Sequence, residues 1–186
     1  MPARPALRAV GAILASTLVA AGSGCGTPQP GPLPDAARPA AASTVDAADR
    51  QAAERAALDA YAGYLRASRE ANRAGDPLHP ALTDYLADPL LTQVRLAIRD
   101  AHDHGARRTG TLTSDPTVTL VSLEGSPPTV EIQDCLDATG YRLTYVDGDR
   151  AVPGSAGQRY LVTATATRYH DRWLINTGAA HRDQPC

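Results

Sequence analysis

The chain has 186 residues, a net charge of −2 with neutral histidines, and 43% hydrophobic residues. That charge supplies no field to gather nucleic acid or anionic lipid, while the hydrophobic fraction is enough for a core. Phe and Lys are absent and Trp173 is the single tryptophan, so the large core side chains must be mostly Leu, Val, Ile and Tyr.

The first residues carry Arg4 and Arg8 and no acid, followed by an apolar run from Ala9 to Ala21. A run of about 13 residues is too short to span a bilayer, which needs about 20. A basic start, a short apolar stretch and small residues after it predict a secretory signal peptide over residues 1–24.

Gly22, Ser23 and Gly24 lead into Cys25. Ser23, Gly24 and Cys25 resemble the lipobox of bacterial lipoproteins, although Gly22 departs from the aliphatic residue usual at its position. That resemblance implies a diacylglycerol thioether on Cys25, acylation of the new amino terminus (palmitate is a common acyl group), and anchoring to the outer face of the cell membrane. Each buried methylene contributes about 0.8 kcal/mol, so one acyl chain holds marginally and two or three hold firmly. Cysteine parity agrees. The chain has three cysteines, Cys25, Cys135 and Cys186, and an exported protein meets an oxidising environment. Lipidation of Cys25 leaves Cys135 and Cys186 as a pair. The competing reading cuts the signal upstream and leaves Cys25 free or paired with another molecule.

Residues 25–44 contain Pro28, Pro30, Pro32, Pro34 and Pro39 and no hydrophobic period. They read as a tether of polyproline character. About 20 residues at about 3.1 Å each would reach roughly 60 Å. The remainder, residues 45–186, has the length of one ordinary domain.

The first element of that domain is a long helix within residues 46–74. Ser43 or Thr44 can cap it, Asp46 and Asp49 suit its first turn, and Gly75 followed by Asp76-Pro77 ends it. Leu58, Tyr61, Ala62 and Leu65 recur at helical spacing and predict one apolar stripe. A short helix follows from Pro80 to Ala87, with Leu82 and Leu86 on one side. A third runs from Asp88, its cap, through Pro89 at the first helical position to Gly105, with Leu91, Val94, Ile98 and Ala101 on its buried face.

From Gly110 the pattern turns β-branched and alternating: TVTLVSL, TVEIQDCL, YRLTYV, RYLVTATATRY and RWLINTG. EGSPP, VDGD and YHDR are turn signals between them, and the last two runs predict a hairpin through His170 and Asp171. Helices first and then a meander of antiparallel strands predict an α+β fold, with N-terminal helices packed on a curved antiparallel sheet.

The carboxy-terminal 60 or so residues carry a strand with Asp134, Cys135 and Asp137, then Arg159 opening a strand, Trp173 leading the next, and Cys186. This arrangement resembles uncharacterised actinobacterial lipoproteins with a nuclear transport factor 2-like, cystatin-like α+β domain. The resemblance covers roughly residues 45–186. It implies a cone of helices against a bent sheet, an envelope location, and no assigned reaction. A Cys135–Cys186 bridge would pin the terminus to the sheet, contributing roughly 4 kcal/mol by closing a loop of about 50 residues.

Related cone domains include isomerases and hydratases, which need a base and a hydrogen-bond donor in an apolar pocket. Asp84, Tyr61 and Asp100 are the candidates here, with Tyr64, Tyr85 and His102 beside them, but none stands in a recognised motif. Tyr61 reads first as core packing and Asp84 as a solvated helix face. His102 and His104 lie two apart and point to different sides of a helix, while Asp100 and His104 supply only two ligands, too few for a metal site. Asp147–Asp149 reads as a turn and not a calcium loop. No metal and no cofactor is expected. The leading functional reading is a non-catalytic lipoprotein that binds a protein partner or a small ligand at the envelope. The alternative is a small cone-pocket enzyme using Asp84 or Asp100 with a tyrosine.

Overall fold

The computed structural model describes residues 46–186. The signal peptide, Cys25, the tether, and the caps expected at Ser43 or Thr44 lie outside the described residues.

The fold is α+β. Helix α1 (Ala47–Ala74) is followed by α2 (Leu82–Tyr85) and α3 (Leu90–Asp103), then by strands β1 (Ala106–Gly110), β2 (Pro116–Ser122), β3 (Thr129–Asp137), β4 (Tyr141–Tyr145), β5 (Arg159–Tyr169) and β6 (Arg172–His181). Asp46 caps α1, its Oδ1 accepting from the Ala48 amide at 3.0 Å. Gly75 closes it in the left-handed region, φ +65°, where a side chain would be strained. The short second helix spans a single turn of the expected stretch, yet Leu82 and Leu86 are both buried. Pro89 precedes α3 and does not open it. Asp88 still serves the helix start: its Oδ1 accepts from the Thr92 amide at 3.1 Å and the Thr92 hydroxyl at 2.6 Å.

The buried stripe of α1 is built mainly from alanine. Ala53, Ala57, Ala60, Tyr61, Gly63, Ala67 and Ala71 are buried, while Leu58 and Leu65 are only half-buried and Ala62 faces solvent. Small side chains let the helix axis approach the sheet closely. Tyr85 comes so near that a Cβ added at Gly63 would overlap its ring. Val130, Ile132, Ala164, Ala166 and Ile175 supply the opposite wall, and Leu82, Leu86, Leu90 and Ile98 close the core from the other two helices.

The strands do not form the single meander expected. Four of them make one antiparallel sheet in the order β2-β3-β5-β6, and β4 leaves to pair with β1 in a separate two-stranded sheet. The sequence of β1, ARRTG, shows no apolar alternation, so the strand pattern legible in the sequence starts only at Gly110. Its pairing is closed from the side by the Thr109 and Thr144 hydroxyls, 2.6 Å apart. The hairpin between β5 and β6 turns through His170 and Asp171, with Tyr169 opposite Arg172. His170 takes φ +55° there.

Along β3, Val130, Ile132, Asp134 and Leu136 are buried while Glu131 is exposed. The period of two puts these four side chains on one face. Cys135 therefore points to the opposite face, where it is bridged to Cys186 with the Cα atoms 5.8 Å apart.

Candidate functional site

One buried carboxylate meets a tyrosine hydroxyl. Tyr61 donates to Asp134 Oδ2 at 2.9 Å, Ser114 Oγ donates to the same oxygen at 2.7 Å, and the Asp115 amide donates to Oδ1 at 2.8 Å. Asp134 is 1% exposed and Tyr61 0%. Burial, followed by the charge of Asp134, pushes the Tyr61 hydroxyl far above the ordinary tyrosine range. The pair holds its proton tightly and neither group reaches solvent, so it acts as a structural clamp tying α1 to β3. Asp134 was missed as a site residue at the sequence level. The available signal was its phase, since it falls among the apolar positions of β3, where a carboxylate must find donors.

The other candidates lie apart from that clamp. Asp84 is exposed on α2 and borders a surface groove with Tyr85 and Trp173. Tyr85 accepts from Arg66 at 3.0 Å, and that guanidinium lies 5.5 Å from the ring centroid. Asp100 is exposed on α3, 3.5 Å from the His104 ring. His102 is exposed beside Asp103. Among the described residues, neither Asp84 nor Asp100 hydrogen-bonds a tyrosine, and no group of three or more His, Cys, Asp or Glu side chains converges as a metal would require.

A cleft of about 220 Å³ opens where the two sheets part. On α1, Tyr64, Leu65, Ser68, Arg69 and Asn72 follow helical spacing and form its wall. Val94 and Ala97 of α3 and Leu112 face them. Leu136 lies near the end of β3, Tyr141 begins β4 after the turn in which its amide donates to Ala138 O at 2.8 Å, and Tyr160 lies near the start of β5. Arg108 of β1 and Arg182, just past β6, complete the lining. The cleft thus exists because β4 leaves the main sheet for β1.

The cleft is cationic and aromatic. Arg182 stacks 4.8 Å from the Tyr160 centroid. Among the described residues, Arg69, Arg108 and Arg182 have no acidic partner within 4.0 Å, and no acid is among the lining side chains. Arg69 Nε and Ser68 Oγ are buried with no hydrogen-bond partner among the described residues. Burial pushes the Tyr64 hydroxyl up to about 12. Burial also raises Tyr141, against the opposing pull of Arg108, Arg69 and Arg73. Tyr64 and Tyr141 are therefore neutral donors near pH 7. The arrangement offers positive charge, hydroxyl donors and apolar surface. It offers neither a nucleophile with an adjacent base nor a carboxylate for proton transfer.

Arg182 is held over the cleft by the tail. Gln158 Nε2 donates to Arg182 O at 2.7 Å, and the Leu161 amide donates to Gln184 O at 3.0 Å. The bridge from Cys186 to Cys135 fastens the end of that tail.

No protein-family model matches the chain, and no curated protein matches it. Among solved structures, the described fold is similar to the intermembrane space region of the chloroplast protein ARC6. The TM-score is 0.51 at 16% sequence identity, covering 68% of this chain and 95% of that one. At that identity the likeness concerns the fold, an α+β arrangement of helices and strands.

Proposed function

We propose that the chain is a lipid-anchored protein of the extracytoplasmic face of the cell membrane, whose single domain binds a small ligand or an envelope protein without chemical turnover. Residues 1–24 act as the signal peptide, residues 25–44 as a tether, and residues 45–186 as the binding domain, which we read as a nuclear transport factor 2-like cone. The observation that carries the reading is the Cys135–Cys186 bridge. It leaves Cys25 as the one remaining thiol of three, directly behind an apolar run and a Ser-Gly pair. The binding role is supported by the arginines and tyrosines that line the cleft with no acid among them. The absence of turnover is supported by the sealed Tyr61–Asp134 pair and the solvent-facing positions of Asp84 and Asp100. A net charge of −2 speaks against nucleic acid as the partner.

Metabolic labelling with an alkyne fatty acid tests the anchor. The wild-type chain should take up label and fractionate with membranes, and Cys25→Ala should do neither. Unlabelled wild-type protein recovered in the soluble fraction would overturn the placement.

A further inference from the structure

We propose that the cleft between α1 and the parting sheets binds an apolar carboxylate of about ten heavy atoms, a single aromatic ring or a short acyl chain bearing one negative charge. The proposal rests on the binding role above, names its ligand class, and is independent of the lipid anchor.

Size sets the first limit. An engineered cavity of about 150 Å³ is known to hold benzene, and this cleft encloses about 220 Å³. The difference leaves room for a small polar head on one ring. Charge sets the second. Arg69, Arg108 and Arg182 all line the cleft with no acid among the lining residues, and Arg69 Nε has no acceptor among the described residues. A guanidinium is a planar fork of donors that matches a carboxylate with two parallel hydrogen bonds. Arg69 and Arg108, half-buried against apolar surface with no acid beside them, are therefore short of an anionic partner, and the more exposed Arg182 adds positive charge at the rim. The floor sets the third. Leu65, Leu112 and Leu136 offer nothing to solvate a bare inorganic ion, but they bury a ring or an acyl chain. Tyr64 and Tyr141 stay protonated to well above neutral pH, so their hydroxyls can donate to the head group without repelling it.

The full chain in a non-ionic detergent is titrated with phenylacetate, phenylacetamide and inorganic phosphate, followed by NMR of the Tyr64, Tyr141 and Tyr160 ring resonances and by calorimetry. Phenylacetate should bind saturably and shift those rings. The neutral amide and bare phosphate should each bind at least about tenfold more weakly, the size of one lost charge-assisted interaction or of the lost apolar contact. Arg69→Gln and Arg108→Gln should each weaken phenylacetate about tenfold with an unchanged thermal midpoint. If either fails to fold, Leu112→Trp, which fills the floor and leaves the arginines in place, should abolish ring shifts on its own. The proposal is overturned if phenylacetate shifts none of the three rings, if phosphate or the amide binds equally well, or if folded arginine variants bind as tightly as wild type. Any of those results would leave fatty-acid labelling at Cys25 unaffected.

Discussion

The Tyr61 hydroxyl donates to Asp134 over 2.9 Å across 73 residues of chain, with both side chains out of contact with water. Asp134 is a buried charge whose tolerance depends on three donors: Tyr61, Ser114 Oγ and the Asp115 amide. Hydrogen bonds to a charged group contribute about 1.5–3 kcal/mol, and the loss of a partner leaves the remaining group unsatisfied. Tyr61→Phe should therefore lower stability in urea by about 1.5–3 kcal/mol. Asp134→Ala strands all three donors and should cost about 3–5 kcal/mol. The double variant should cost less than the sum of the two. Strict additivity in that cycle would show that the two groups do not act together.

Alkaline pH tests the same region through proton binding. Tyr61 and Tyr64 are both raised from the ordinary value of 10.0, Tyr61 strongly by burial and by the charge of Asp134, and Tyr64 by burial to about 12. The folded state keeps protons that the unfolded chain loses above about pH 10. Stability is thus unaffected by these groups below pH 10 and falls as pH rises above it. The slope is up to about 1.4 kcal/mol per pH unit for each group between about 10 and 12. Urea unfolding between pH 9 and 12 should show a flat limb and then a decline, and Tyr64→Phe should make that decline shallower. An unchanged slope in the variant would reject burial as the cause.

Gly63 sits where α1 passes the Tyr85 ring, and a Cβ there would overlap the ring. In an ordinary helix interior Gly→Ala stabilises by about 1 kcal/mol. Here overpacking of about 1–3 kcal/mol opposes it, so Gly63→Ala should destabilise on balance. In a Tyr85→Ala background the ring is gone, and the same substitution should turn stabilising by up to about 1 kcal/mol. A thermal-melt comparison of the four proteins reads the sign, and the same sign in both backgrounds would refute the contact.

Reduction of the Cys135–Cys186 bridge should cost about 4 kcal/mol in the chain-entropy model, since the two residues are separated by 51 positions. The loss should be visible as a lower urea midpoint in reducing agent and in a Cys135→Ser, Cys186→Ser double variant. Because the bridge also secures the tail behind Arg182, the double variant should bind phenylacetate more weakly than wild type. Denatured, unreduced protein should show no reactive thiol from either position. Two reactive thiols there would reject the bridge.

Local pattern carried the long first helix, its stop at Gly75, the hairpin at His170 and Asp171, and the helices-then-strands order, because each depends on neighbours within a few residues. The Cys135–Cys186 pair was expected from an odd count of three cysteines with Cys25 set aside for the lipid, and the fold joins those two. Strand β1 was not legible, because ARRTG has no apolar alternation and becomes a strand only when β4 pairs with it. The alanine face of α1 was likewise obscured. Tyr61 fell on the expected stripe, but Leu58 and Leu65 proved half-buried and Ala62 exposed, since close approach to the sheet favours small side chains.

The sites divide in the same way. The sequence by itself determined which residue types were present: twenty acids, seven tyrosines and no lysine. It did not determine which of them meet. Tyr61 was named with Asp84 and Asp100, and the tertiary structure paired it with Asp134, a residue 73 positions away. Arg69, Arg108 and Arg182 lie on three separate stretches of chain, and only the departure of β4 from the main sheet brings them around one cleft. Periodicity encodes which face of a strand or helix is buried, whereas the partner across that buried face is set by how the elements pack.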